Sequence, residues 1–126
     1  MFSQERTTYQ WVTTAHSVRL KFNNQWRDWT EWSYHKDKGM IVILNTKTDI
    51  IKIIGSNVGN IQTYDIIKYR ETEFTDNDRI MRYECVADIG EICLVEIMNR
   101  EYKSSVSYWQ LYLKFKESSV VYSIEK

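Results

Sequence analysis

The chain contains no proline, so nothing in it caps a run of strands with a missing N–H or supplies a stiff Pro-rich linker between domains. Its glycines are four, Gly39, Gly55, Gly59 and Gly90, and none sits in a phosphate-cradling loop motif. Two cysteines, Cys85 and Cys93, are too few for a disulfide framework. They flank a short turn and could face each other across a hairpin, and the reading is a pair of buried thiols in a reducing compartment. Charge of one sign is also missing: 17 basic and 17 acidic residues give a formal net charge of zero. Long-range attraction to nucleic acid or to an anionic membrane is therefore not expected. Arg19 with Lys21, and Lys114 with Lys116, alternate as solvated strand faces do. No apolar run approaches the roughly 18 residues of a helical membrane span. The segment from Met1 to Arg6 lacks the basic stretch and apolar run of a signal peptide, so the cytoplasm is the expected compartment.

What is present points to strands. At 126 residues the chain fits one domain, 1–126, and 43% hydrophobic with 14% aromatic content supplies a core. Aromatic and β-branched residues suit a pleated, half-buried surface better than a helix. The hydrophobic period is close to two almost throughout. His16, Val18, Leu20 and Phe22 oppose Ala15, Ser17, Arg19 and Lys21, and Asn23-Asn24 supplies turn chemistry. A second strand is predicted over 29–35, ending before Lys36-Asp37-Lys38-Gly39. A hairpin follows from the apolar runs 40–44 and 50–54, with strand 40–44 apolar on both faces. Breaks at Gly55-Ser56-Asn57 with Gly59-Asn60, and at Thr75 to Asp78, bound a strand over 61–70. Met81, Tyr83, Cys85 and Ala87 face inward, Gly90 turns the chain, and Cys93, Val95 and Ile97 return on the same face. Trp109, Leu111, Leu113 and Phe115 make the clearest apolar stripe, before a last strand carrying Val120, Tyr122 and Ile124. The predicted fold is an all-β antiparallel meander of eight or nine strands, a small closed or nearly closed barrel, with a two-sheet sandwich as the alternative.

The most distinctive local feature is Trp26-Arg27-Asp28-Trp29-Thr30-Glu31-Trp32. In a strand, Trp29 and Trp32 face opposite sides, so one fills the core and another is left at a rim. Exposed tryptophan anchors binding interfaces, and Trp26, Arg27, Asp28, Trp29 and Trp32 are the candidate interface. The competing reading is that all three tryptophans simply pack. His16 and His35 lack metal-ligand spacing with Glu31 or Asp37; His16 reads as a hydrogen-bonded core residue and His35 as solvent-exposed. Glu71 and Glu73 share a strand face but belong to an acidic loop region. No catalytic residue, metal ligand or cofactor is assigned.

The meander, with a tryptophan near its first turn, resembles the calycin layout of lipocalins and fatty-acid-binding proteins, without the lipocalin Gly-x-Trp signature. Trp29-Thr30-Glu31-Trp32, Ile41-Val42-Ile43-Leu44-Asn45 to Ile53, and Tyr64-Asp65-Ile66-Ile67 resemble a family of small uncharacterised β-proteins of Bacteroidales and their crAss-like phages. That resemblance implies a phage or mobile-element origin, a host-cytoplasmic setting, and no activity for any residue. The expected function is a non-enzymatic module binding a virion or host protein. The alternative is a carrier of a small apolar or nucleotide-like molecule inside the barrel, against which the bulky inward side chains argue.

Overall fold

The period-two pattern becomes a closed antiparallel ring. A computed structural model describes residues 8–35, 39–55 and 60–126. The expected breaks at Lys36-Asp37-Lys38 and at Ser56 to Gly59, and the segment Met1 to Arg6, lie outside the described residues. The strands are β1 (Thr8–Phe22), β2 (Gln25–Trp26), β3 (Ser33–Tyr34), β4 (Ile41–Asn45), β5 (Ile50–Ile54) and β6 (Ile61–Tyr69). They continue with β7 (Glu73–Phe74), β8 (Arg79–Ala87), β9 (Ile92–Arg100), β10 (Tyr108–Lys114) and β11 (Ser118–Glu125). Eight of these, β1, β4, β5, β6, β8, β9, β10 and β11, pair in order, and β11 returns to β1. Closure leaves no free edge in the ring, which decides for the barrel over the sandwich. The three two-residue strands are additions: β2 and β3 pair with β1, and β7 pairs with β8. No described residue is helical.

Local chemistry sets the turns. Asn23 and Asn24 both take positive φ, 50° and 61°, the backbone of a two-residue hairpin turn that asparagine tolerates. Gly90 has φ 86° and its N–H donates to Ala87 O at 2.8 Å, closing the β8–β9 turn where a side chain would be strained. Gly39 has a different reason: a Cβ there would stand 1.9 Å from the carbonyl oxygen of Thr13. The chain must pass hard against β1 at that point.

The barrel interior is filled. Trp11, Leu44, Ile51, Tyr83, Ile97 and Leu111 are among its fully buried side chains, each worth about 1.5–3 kcal/mol of burial. The predicted inward faces of β8, β9, β10 and β11 all hold. On β4, Val42 and Leu44 are buried whereas Ile41 and Ile43 are half-buried, so its outer face is only partly covered. Cys85 and Cys93 sit opposite each other in register as buried free thiols. Burial pushes them up to about 12 and about 11, so thiolate is scarce at neutral pH.

Two expectations for the N-terminal half are corrected. First, β1 begins at Thr8 and carries a bulge: Thr13 pairs with Ile124 and Ala15 with Ser123, leaving Thr14 extra. The bulge shifts side-chain parity, so Trp11 and Thr13 point inward before it and His16 and Val18, opposite Tyr122 and Val120, point inward after it. Leu20 and Phe22 run beyond the core and are exposed, while Ala15 and Ser17, predicted to face solvent, are buried on the outer wall. Second, the strand predicted over 29–35 exists only at Ser33–Tyr34. Residues 27–32 instead form a strap along the edge of β1, and Trp29 and Trp32 do not alternate across a sheet.

Candidate functional site

The strap is tied to β1 at intervals. The N–H groups of Arg27, Thr30 and His35 donate to the carbonyls of Leu20, Val18 and Thr14, each at 2.9 Å. Between these ties Ser17 Oγ donates to Thr30 O at 2.6 Å, and Val18 N–H donates to Thr30 Oγ1 at 3.0 Å. Under the strap the outer wall is built from small side chains, with Ala15, Ser17, Ser119 and Val121 all buried. Large rings can therefore lie close to the ladder. Trp29 meets Tyr112 edge-on at 6.1 Å, and Trp32 borders a shallow groove with Tyr34, Tyr108 and Gln110. The Arg19 guanidinium lies 4.7 Å from the Trp26 ring centroid and 4.9 Å from that of Trp29. Such cation–π contacts fix the rings while leaving their outer faces open. Trp26, Trp29 and Trp32 remain 38%, 36% and 41% exposed. All five candidate residues are at the surface; Arg27 lies over Phe22, 5.4 Å from its centroid, and Asp28 is exposed. Arg19 and Lys21, read as a solvated face, are half-buried beside Trp26.

Both histidines meet where the strap ends. Thr13 Oγ1 accepts from Met40 N–H at 2.7 Å and lies 2.8 Å from His35 Nδ1. His35 Nε2 lies 2.8 Å from His16 Nδ1. Two neutral tautomer pairs satisfy this chain: the Thr13 hydroxyl donates to His35 Nδ1 and His35 Nε2–H to His16 Nδ1, or His16 Nδ1–H donates to His35 Nε2 and His35 Nδ1–H to Thr13 Oγ1. Burial, and then the neighbouring His16, hold the His35 pKa below its usual value. His16 is thus hydrogen-bonded as expected. His35, expected in solvent, is half-buried, because it is the bolt that joins strap to barrel. The described residues bring no third histidine, cysteine or carboxylate to this pair.

The acidic residues behave as structural ions. Glu73 is on β7 and pairs with Arg82, whereas Glu71 precedes the strand, so the two do not form a facing carboxylate pair. Arg82 also holds Glu96, Nε to Oε2 at 2.6 Å, and Lys114 pairs with the other Glu96 oxygen. Glu96 is 2% exposed on the outer wall, and its two cationic partners offset the cost of burying a carboxylate there.

A second surface was not anticipated. Where β1, β8 and β10 begin and β4 and β6 end, a pocket of about 140 Å³ opens at one mouth of the barrel, lined among others by Trp11, Tyr69, Arg79, Tyr83, Trp109 and Lys126. Trp11 and Trp109 are 5.4 Å apart, Tyr69 meets Tyr83 edge-on at 4.9 Å, and burial raises the Tyr83 pKa. Arg79 and Lys126 lie 5.5 Å and 4.9 Å from the Trp109 centroid. These residues come from distant strands, so no local spacing could have announced them.

Fold and surfaces together define a closed eight-stranded antiparallel barrel with a filled interior, an aromatic strap on its wall and an aromatic-cationic mouth. Comparison with protein-family models, with curated proteins and with solved structures finds no match.

Proposed function

We propose that the chain is a non-enzymatic recognition module that binds a protein partner through Trp26, Arg27, Asp28, Trp29 and Trp32. The observation that carries this reading is the mounting of three tryptophans on a closed, filled barrel, each with more than a third of its surface open. Tryptophans pre-positioned on a rigid scaffold lose little entropy on binding, and they are the commonest energetic anchors of interfaces. Arg27 and Asp28 supply charges of both signs at the rim. The absence of a catalytic role rests on the same chemistry: the histidines are engaged with each other, and the buried thiols are held protonated. The phage or mobile-element resemblance favours a virion or host protein as partner, met in the host cytoplasm. A carrier with its ligand deep inside the barrel is disfavoured, because large side chains occupy that volume.

The test is capture from host or phage lysate by the wild-type chain and by Trp29→Ala and Trp32→Ala variants. The expected result is a defined protein lost by more than about 2 kcal/mol of affinity in a strap variant that still folds, and retained by Lys52→Ala on another wall. Equal capture by every strap variant removes this site. Acrylamide quenching of single-tryptophan variants provides the companion measurement, with Trp32 quenched more readily than Trp11.

A further inference from the structure

The mouth pocket is independent of the strap and has a chemistry of its own. Its described lining carries two cations, Arg79 and Lys126, and no aspartate or glutamate. Both cations lie over one ring, that of Trp109, so their charge is gathered at a single aromatic wall. The buried polar atoms around it are also incompletely paired. Trp11 Nε1 and Arg79 Nε, two N–H donors on lining residues, have no acceptor among the described residues. Asn99, which pairs across the ladder with both Arg79 and Trp109, has a buried Oδ1 without a donor. Apart from Glu96 Oε1, which the Lys114 ammonium holds, four buried side-chain atoms of the described residues lack a partner, and three of them thus cluster at this mouth. Native proteins rarely leave such atoms orphaned, and a cluster of them beside a cavity marks a place where another molecule completes the pairing.

Size narrows the molecule. A pocket of about 140 Å³ is close to the roughly 150 Å³ engineered cavity that accommodates benzene. It is well below the ~300–1,000 Å³ of sites that enclose drug-sized ligands. One aromatic ring fits between the tryptophan and tyrosine walls, and a nucleotide does not. Two cations and two unpaired N–H donors call for an anion, and a guanidinium matches a planar carboxylate best.

We infer that the mouth bounded by Trp11, Tyr69, Arg79, Tyr83, Trp109 and Lys126 binds a small aromatic carboxylate, with the ring between the aromatic walls and the carboxylate at Arg79 and Lys126. Residues of the ends of several strands hold it, so the site exists only once the barrel has closed.

The experiment titrates the intact chain with benzoate, with benzamide as an uncharged counterpart of the same shape and with inorganic phosphate as an anion lacking a ring. Indole N–H resonances, assigned through single Trp→Phe variants, report where each probe sits. Benzoate is expected to move the Trp11 and Trp109 signals to saturation and to leave Trp26, Trp29 and Trp32 in place. Its affinity should exceed that of benzamide and of phosphate by about tenfold or more. Arg79→Gln should bring benzoate down to the benzamide level without unfolding the barrel, and Lys126→Gln offers the same readout should Arg79→Gln fold poorly. The inference is overturned if benzoate leaves the Trp11 and Trp109 signals unmoved, if benzamide or phosphate binds equally well, or if both charge variants bind benzoate as the wild type does. A response confined to the strap tryptophans likewise overturns it, and bears instead on the strap.

Discussion

Five tryptophans divide into an inner pair and an outer trio, and the two groups are placed by different physics. Trp11 and Trp109 belong to continuous strands; ladder register and side-chain parity leave them no choice but to point at each other across the mouth. Trp26, Trp29 and Trp32 sit on a return segment bonded to β1 only at intervals, and what positions them is side-chain chemistry: an arginine between two rings, a tyrosine edge, a floor of small residues. Trp11 is 1% exposed, whereas each outer ring keeps more than a third of its surface open. Inside, an aromatic ring is part of what makes the barrel; outside, it is carried by the barrel and remains available to something else.

The sharpest way to break this division is to truncate one member of each group. Trp11→Ala should cost about 3–5 kcal/mol in chemical denaturation, because the ring is 1% exposed and its removal leaves a large gap among the strands it packs between. Trp32→Ala should cost distinctly less. Equal losses would mean that the strap is as integral as the core. Next in size is the pair on β10: Leu111→Ala should cost about 2–5 kcal/mol and Tyr112→Ala less, since Leu111 is fully buried and Tyr112 half-buried on the outer wall. A smaller effect sharpens the role of the strap. A double-mutant cycle on Trp29 and Tyr112 should give a coupling of about 0.5–1.5 kcal/mol, the worth of an aromatic pair, and a value near zero would detach the strap from the wall.

The smallest expected effect is on pH dependence. His35 has a folded pKa held below its ordinary 6.5. Below that ordinary value the unfolded chain gains a proton that the folded chain resists, so stability falls as pH drops, and levels off once the folded pKa is passed. Above it both states are neutral at His35 and the contribution is flat. Melting curves between about pH 5 and 8 should show this slope in the wild type and a weaker one in His35→Gln. An unchanged slope would mean that His35 is not the titrating bolt of the strap.

What could be read in advance followed the range of the interactions. The stripe Trp109, Leu111, Leu113 and Phe115 and the turn at Gly90 are set by nearest neighbours and by a ladder of unbroken period two, so they were legible in the sequence. The bulge at Thr14 inserts one residue into that period, and nothing in Thr13-Thr14-Ala15 declares it. Beyond it the alternation of His16 and Val18 against Ala15 and Ser17 holds as read; Leu20 and Phe22 are exposed because β1 overruns the core, and Ala15 and Ser17 are buried because the strap covers the outer wall. Residues 29–35 have strand-like composition, and only the three-dimensional edge of β1 reveals that they bond to it at intervals. The exposure of the tryptophan segment was anticipated, although from alternation it does not possess. The His16–His35 contact and the mouth joining Trp11, Arg79 and Trp109 depend on closure of the ring, which no local window contains.

The join between β1 and β11 has a kinetic consequence. Thr14 Oγ1 donates to Ser123 O across 109 residues of sequence, and the ladder around it spans similar separations. Such contacts form late and slowly, because the entropy of a long loop must be lost before they stabilise anything. Until then β1 and β11 each present a bare hydrogen-bonding edge, and β11 carries Val120, Tyr122 and Ile124 beside it. The chain is therefore most vulnerable to pairing with a second copy of itself in the interval before its last strand docks, and that interval, more than the stability of the finished barrel, should govern how much of it folds at high concentration.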